Sequence, residues 1–357
     1  MYSLSEILTL TERGTHENTI LAAAIGLIFP LIAERQLSNR QNLAWHVDKI
    51  SKAVKLHQLQ IYFDRFGRLA GHVMWTLIAP DKEKVLLKNG PEALMPSDFS
   101  NQGDAWILDM TARFGELAGI LAKLRDVELR HLEVVTYFRY KRGRRIAKRV
   151  ARADQTSFFQ RPSLVSTCEP GIPFLMRKEG NNLLFAATTE VDSAIQLGRS
   201  LMLLRTVPEY AAMPMVVVLT RVRIPMEQMQ SRLYASETGD PIAYMTWAWV
   251  NRDELNANQR RDLHARAPFE WSEGDDLCLC DAVSTPQGMK AITADLASEW
   301  FPKEDLWVYP RNTGNTCCTT SPVRWTPERR SELETWNTQV SSVLDVASAL
   351  VQQGGAL

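Results

Sequence analysis

The chain lacks most of the features that betray a partner at a glance. It has no excess of charge: 41 Lys and Arg balance 41 Asp and Glu, giving a formal net charge of zero. No global field therefore draws it to nucleic acid or to an anionic membrane. No secretory leader is expected, because MYSLSEILTLTERG carries no basic region followed by an apolar run. The most apolar early stretch, Thr19 to Ala33, is 15 residues long and contains Pro30. A membrane span needs about 20 residues, so this stretch reads as a buried helix.

Cysteine is scarce too. Five cysteines, an odd number without disulfide-framework spacing, fit a reducing compartment, and a cytoplasmic location is expected. Cys278 and Cys280 alternate on a strand, and Cys317 and Cys318 adjoin in a polar loop. C-x-C plus C-C is a poor match to zinc-ligand spacing, so no metal is expected. Glycine-rich phosphate loops and any spacing that argues a Ser-His-Asp set are also missing.

What is present is a repeat. GRLAGHVMWTL (67–77) and GDPIAYMTWAW (239–249) share a rhythm of glycine, apolar run and tryptophan. An offset of 172 places superposes Gly26 on Gly198, Gly67 on Gly239, Trp75 on Trp247, Ser100 on Ser272 and Asp109 on Asp281. Tryptophan and aspartate stand 34 residues apart in both copies. Constant offset and constant order point to a tandem duplication. At 357 residues, with 45% apolar and 23% charged content, the chain has room for two ordinary domains.

Each copy reads as helix, hairpin, strand, helix, strand. Leu43, Val47, Ile50 and Val54 make an apolar stripe on a helix. QLQIYFD and LAGHVMWTLI form a hairpin through Phe66-Gly67-Arg68, with AWILDM as the next strand, GELAGILAKLRD as a helix and LEVVTYFRY as the closing strand. The second copy runs SRLYAS, PIAYMTWAWV, LCLCDA, QGMKAITADLASEWF and DLWVYPR. MVVVLTRVRI is β-branched yet aligns with a helix, and helix is the expectation. The fold class is α/β, each domain a mostly antiparallel mixed sheet flanked by helices. The expected domains are 1–152 and 183–320, joined by a Pro-containing linker at 153–182, with a C-terminal helix within 321–357.

WSEGDDLCLCDAVSTPQG, with DPIAYMTWAW before it and SEWFPKEDLWVYPR after it, resembles the RTX toxin-activating lysine acyltransferases. GHVMWTL and FSNQGDAWILDMTARFGE give the first copy the same pattern. The resemblance implies two N-acetyltransferase-like domains forming an intramolecular pseudo-dimer within a monomer. It further implies transfer of an acyl group from acyl carrier protein, or another acyl thioester, to a lysine amine of a protein or peptide, with no tightly bound cofactor. It implies a histidine in the N-terminal helical region and an aspartate on the third strand. The chemistry requires such a pair, because a lysine amine is protonated at pH 7 and must lose that proton before attack.

Asp109 and Asp281 fall on the aspartate position. The histidine position falls on Tyr210 in the second copy and on Ser38 or Asn39 in the first. Tyr210 is a candidate relay or acid. Of the six histidines, His16, His46, His57, His72, His131 and His264, the first precedes the repeat and has nothing that positions it. His46 lies seven residues past Asn39, about 10 Å along a helix and too far to substitute. His72, matched by Tyr244 in the other copy, reads as a packing residue. Trp75, Trp247 and Tyr244 are candidate substrate-binding residues. Arg139, Lys141, Arg142, Arg144, Arg145, Lys148 and Arg149 lie in a run of eight basic residues, read as a docking surface for a carrier or peptide or as a solvated helix face. Three functions follow: an acyltransferase with altered catalysis, a pseudoenzyme that binds a carrier, peptide or partner enzyme without chemistry, or another group transfer tailoring a ribosomal peptide. The aspartates serve equally as catalytic groups or as acceptors for backbone N–H at the next helix.

Overall fold

The computed structural model describes residues 16–33, 42–63, 69–113, 117–141, 144–153, 176–179, 182–185, 189–253, 255, 271–297, 304–308 and 323–326. The turn at Phe66-Gly67-Arg68, most of the linker and the C-terminal helix expected after Thr326 lie outside them. The chain divides into unit one, Met1–Gly198, and unit two, Arg199–Leu357. The architecture is α/β, with two mixed five-stranded sheets.

Unit one opens with α1 (His16–Ala33), buried along Ala22 to Phe29. Next comes α2 (Leu43–Lys55), capped by Asn42, whose side chain accepts the Trp45 N–H at 3.0 Å. The α2 stripe is buried at Leu43, Val47, Ile50 and Ala53. Strands β1 (Leu59–Phe63) and β2 (Leu69–Ile78) form the hairpin, and α3 (Pro80–Asn89), which the sequence pattern did not announce, follows. After it come β3 (Asp104–Ala112), α4 (Leu117–Lys123) running into a π turn, β4 (Val134–Lys141) and β5 (Arg144–Ala151). The sheet order is β1-β2-β3-β4-β5, parallel only between β3 and β4. The described part of the basic run is thus no helix: it is the end of β4 and all of β5. Met176–Glu179 and Asn182–Phe185, β6 and β7, form a separate two-stranded ribbon that straddles the expected end of the linker at 182.

The helix α5 (Thr189–Leu204) begins in unit one and continues into unit two. Unit two then holds α6 (Pro208–Ala211), α7 (Met215–Glu227), β8 (Ser231–Ala235), β9 (Pro241–Val250), β10 (Asp276–Ser284), α8 (Pro286–Ala297), β11 (Leu306–Val308) and β12 (Val323–Trp325). MVVVLTRVRI is helical, as its alignment with α2 required. Its sheet runs β12-β11-β10-β9-β8, parallel only between β10 and β11.

The 172-residue offset recurs at the level of atoms. The helices α2 and α7 end alike: His57 and Met229 both sit in the left-handed region, at φ 54° and 56°. Their successors Gln58 and Gln230 turn N–H back to Ala53 and Pro225 carbonyls at 2.8 and 2.7 Å. Gln58 Nε2 donates to the Ser100 carbonyl at 2.6 Å, and Gln230 Nε2 to Ser272 Oγ at 2.8 Å. Each third strand also carries the same β-bulge. Met74 pairs with Asp109 and Trp75 with Ile107, leaving Leu108 extra; Thr246 pairs with Asp281 and Trp247 with Leu279, leaving Cys280 extra.

In unit one the α1 and α5 backbones meet through small residues. A Cβ on Gly26 would lie 1.7 Å from the Ala194 carbonyl oxygen, and one on Gly198 would lie 1.8 Å from that of Ala22. No side chain fits without moving a helix. Gly26→Val is expected to cost at least about 1–3 kcal/mol, read as a lowered midpoint in urea. An unchanged midpoint would refute the close crossing.

Candidate functional site

The bulge decides where the aspartate points. Along β3, Ala105 and Ile107 pack with Trp75 and Ile120 on the α4 side. Leu108 packs on the α2 side with Ala53 and Met74. With Leu108 inserted, Asp109 follows it to the α2 side, since a bulge redirects the residues beyond it. Strict alternation from Ile107 would have sent Asp109 the other way.

On that side Asp109 meets His72. The two are joined by a 3.2 Å bond between His72 Nε2 and Asp109 Oδ2, in which the carboxylate accepts. The His72 side chain is 1% exposed and that of Asp109 19%. The imidazole is therefore walled in while the carboxylate keeps an outlet. His72 is indeed packed, as its match to Tyr244 suggested, but it also holds the site aspartate. That contact was invisible in the spacing, because cross-strand register had not yet been fixed.

The helix α2 supplies two further groups above the pair. His46 and Lys49 are three residues apart and both buried. Burial, helped by Lys49, lowers the His46 imidazole to about 4, against a pull upward from Asp109. Burial also lowers the Lys49 ammonium to about 7, while Asp109 and then Glu92 favour its charged form. Lys49 Nζ donates to the Pro91 carbonyl at 2.6 Å and lies 3.8 Å from the centre of the Trp45 ring. His46 Nε2 and His72 Nδ1 have no hydrogen-bond partner among the described residues. Lys49 escaped the sequence reading. The available signal was the pair of polar residues interrupting the stripe of Leu43, Val47 and Ile50.

Unit two keeps the carboxylate and changes its surroundings. Val218 stands for His46, Arg221 for Lys49 and Tyr244 for His72. Asp281 is 2% exposed. The Tyr244 hydroxyl donates to the Val222 carbonyl at 3.4 Å, and burial raises its phenol well above the usual range. Tyr210 is wholly buried on α6. Cys278 and Cys280 sit in an apolar cluster with Ile224, Ala248 and Trp271, where a thiol acts as a small hydrophobe. Cys168, Cys317 and Cys318 lie outside the described residues. Among the described residues no group of three His, Cys, Asp or Glu side chains is placed to hold a metal.

Trp75 and Trp247 are core residues of the α4-side and α8-side clusters. In unit one Trp75 thus lies across the sheet from Asp109. Arg139, Arg144, Arg145, Lys148 and Arg149 lie on the β4–β5 ribbon, with Lys141 in register opposite Arg144. Arg142 lies outside the described residues.

Residues 189–319 match the family model of the RTX toxin acyltransferases. The match covers about a third of the chain, from α5 to beyond β11, and makes that region similar to acyltransferases. No curated protein matches the chain. No helix among the described residues is long and apolar enough to cross a membrane.

The buried bases set the acid response. His46 has a folded value near 4 against 6.5 for the free side chain. Between those values the unfolded chain holds a proton that the folded one does not, so stability falls as pH drops through this window, by about 3 kcal/mol in all. For Lys49 the same inequality lies between about 7 and 10.5, so its contribution rises with pH there. Denaturation midpoints measured across pH should flatten in the acid window for His46→Leu and in the alkaline window for Lys49→Met. Profiles identical to wild type would show that neither base is buried.

Proposed function

We propose that the protein transfers an acyl group from a thioester, carried by an acyl carrier protein, to an amine of a protein or peptide, with lysine as the expected acceptor. We place the chemistry in unit one. The observation that carries this reading is the 3.2 Å pairing of His72 with Asp109, the residue at the expected aspartate position. The missing imidazole is replaced from β2 instead of from an N-terminal helix.

In this reading the acceptor ammonium is held by Asp109, whose carboxylate has the exposed side. The ammonium first loses one proton to solvent, and the carboxylate takes the second as the resulting neutral amine attacks the thioester carbonyl. The N–C bond forms, the C–S bond breaks, and the thiolate leaves with a proton from solvent. His72 is a positioning residue that fixes the carboxylate through Oδ2. The repeated offsets, strand order and bulge support descent of both units from one domain. A covalent tandem keeps the copies together and frees one to diverge. Unit two, with Asp281 closed off and tyrosine in place of the imidazole, then serves binding or support without chemistry.

The test is incubation with acyl-loaded carrier protein and lysine-bearing candidate peptides, followed by mass spectrometry of the acceptor. Asp109→Asn should lower kcat/KM by about 100-fold or more. His72→Leu should follow it, and His72→Gln, which retains an N–H donor, should recover part of the rate. Asp281→Asn should stay within about threefold of wild type, the size of effect expected away from reacting atoms. Loss on Asp281→Asn with Asp109→Asn active would move the chemistry to unit two. Absence of transfer to any acceptor would remove the acyltransferase reading.

A further inference from the structure

The β4–β5 ribbon runs past the sheet that supports it. The strand β3 pairs with β4 only through Val135, Thr136 and Tyr137. The bulge at Leu108 bends β3 away immediately afterwards. From Phe138 to Lys141 the ribbon continues on β5 pairing, a reach of about 13 Å.

The two faces of this ribbon differ in charge compensation. Phe138 and Ala147 pack beside Trp106, and on their face the cations are engaged. Arg145 lies 3.5 Å from Glu92, donates to the Lys88 carbonyl at 3.3 Å and sits over the Phe138 ring. Arg149 lies 3.7 Å from Asp104. The opposite face follows from register: Arg139 faces Ile146, Lys141 faces Arg144, and Lys148 faces Tyr137, which packs on the α4-side cluster. On this face Arg139 and Arg144 are exposed, Lys148 is half-buried, and Ile146 is 38% exposed. No ion pair to Arg139, Arg144 or Lys148 forms among the described residues, and the sequence from Val134 to Ala151 contains no carboxylate.

We propose that this face, centred on Ile146 and framed by Arg139, Arg144 and Lys148, docks an acidic protein surface. Only the partner's identity rests on the acyl-transfer reading, under which it is the acyl-bearing carrier. Three uncompensated cations around an exposed aliphatic side chain match a partner that offers carboxylates around an apolar spot. A nucleic acid fits less well. The one aromatic described on this face, Tyr137, is committed to the core, leaving no platform for base stacking. Arg145 and Arg149 belong to the other face and contribute little.

The test measures binding of fluorescently labelled acyl carrier protein to the full chain by anisotropy. The Arg139→Glu, Arg144→Glu, Lys148→Glu triple variant should bind at least about tenfold more weakly, and the three Gln replacements should lose part of that. An equal charge change at exposed Lys55, Lys84 and Lys88 should leave binding within about twofold. Wild-type binding should fall several-fold from about 0.05 to about 0.3 M salt. A small acyl-pantetheine thioester, which needs no docking, should be consumed by the Glu triple variant at the wild-type rate. Binding without any transfer would overturn the chemistry and leave the docking face standing. Equal binding by the triple variant, no carrier binding by wild type, or tighter binding of poly-U RNA or of anionic vesicles would overturn the docking face.

Discussion

One inserted residue on the third strand governs the geometry of each unit. Leu108 in β3 and Cys280 in β10 are surplus to the ladder, and each hands the next residue to the helix side of its sheet. The insertion costs a regular pair of strand hydrogen bonds, a cost that burial of the flanking core on both faces offsets. Its return is a carboxylate placed under a helix instead of among the tryptophans. In unit one it also ends β3–β4 pairing, so one local irregularity both aims Asp109 and frees the ribbon tip.

The two carboxylates then part company through their neighbours. Around Asp109 the groups are basic and only partly reconciled: His72 bonds to it, while Lys49 and His46 are held close to neutrality by burial. At the positions that match those around Asp109, unit two carries Val218, Arg221 and Tyr244, and Asp281 is closed from solvent. The region that matches the acyltransferase family model, 189–319, lies mostly in unit two, yet the imidazole–carboxylate pair stands in unit one. A family match reports likeness of sequence, whereas a site is argued from its own residues.

Much of this was legible in residues and spacing. The Trp75–Asp109 and Trp247–Asp281 intervals marked corresponding strands, and the β-branched MVVVLTRVRI was recovered as helix because its counterpart is amphipathic. The rest failed for identifiable reasons. A two-residue period cannot foresee a bulge, so the side of the sheet taken by Asp109 could not be counted out. His72 lies 37 residues from Asp109 and reaches it only through register across β2 and β3. Lys49 looks like an ordinary surface lysine until Pro91 and Trp45 close over it. One reading of the basic run was a solvated helix face, because the stretch offers a single glycine and few β-branched residues.

The ribbon carries a further consequence for how the molecule behaves in concentrated solution. The strand β5 is the last of its sheet, and such a strand offers open backbone groups to any neighbouring copy. A chain with no net charge has little general repulsion to keep copies apart. Guanidinium and ammonium groups along β5 supply like-charge repulsion at this edge of the unit-one sheet, discouraging a second copy from pairing there.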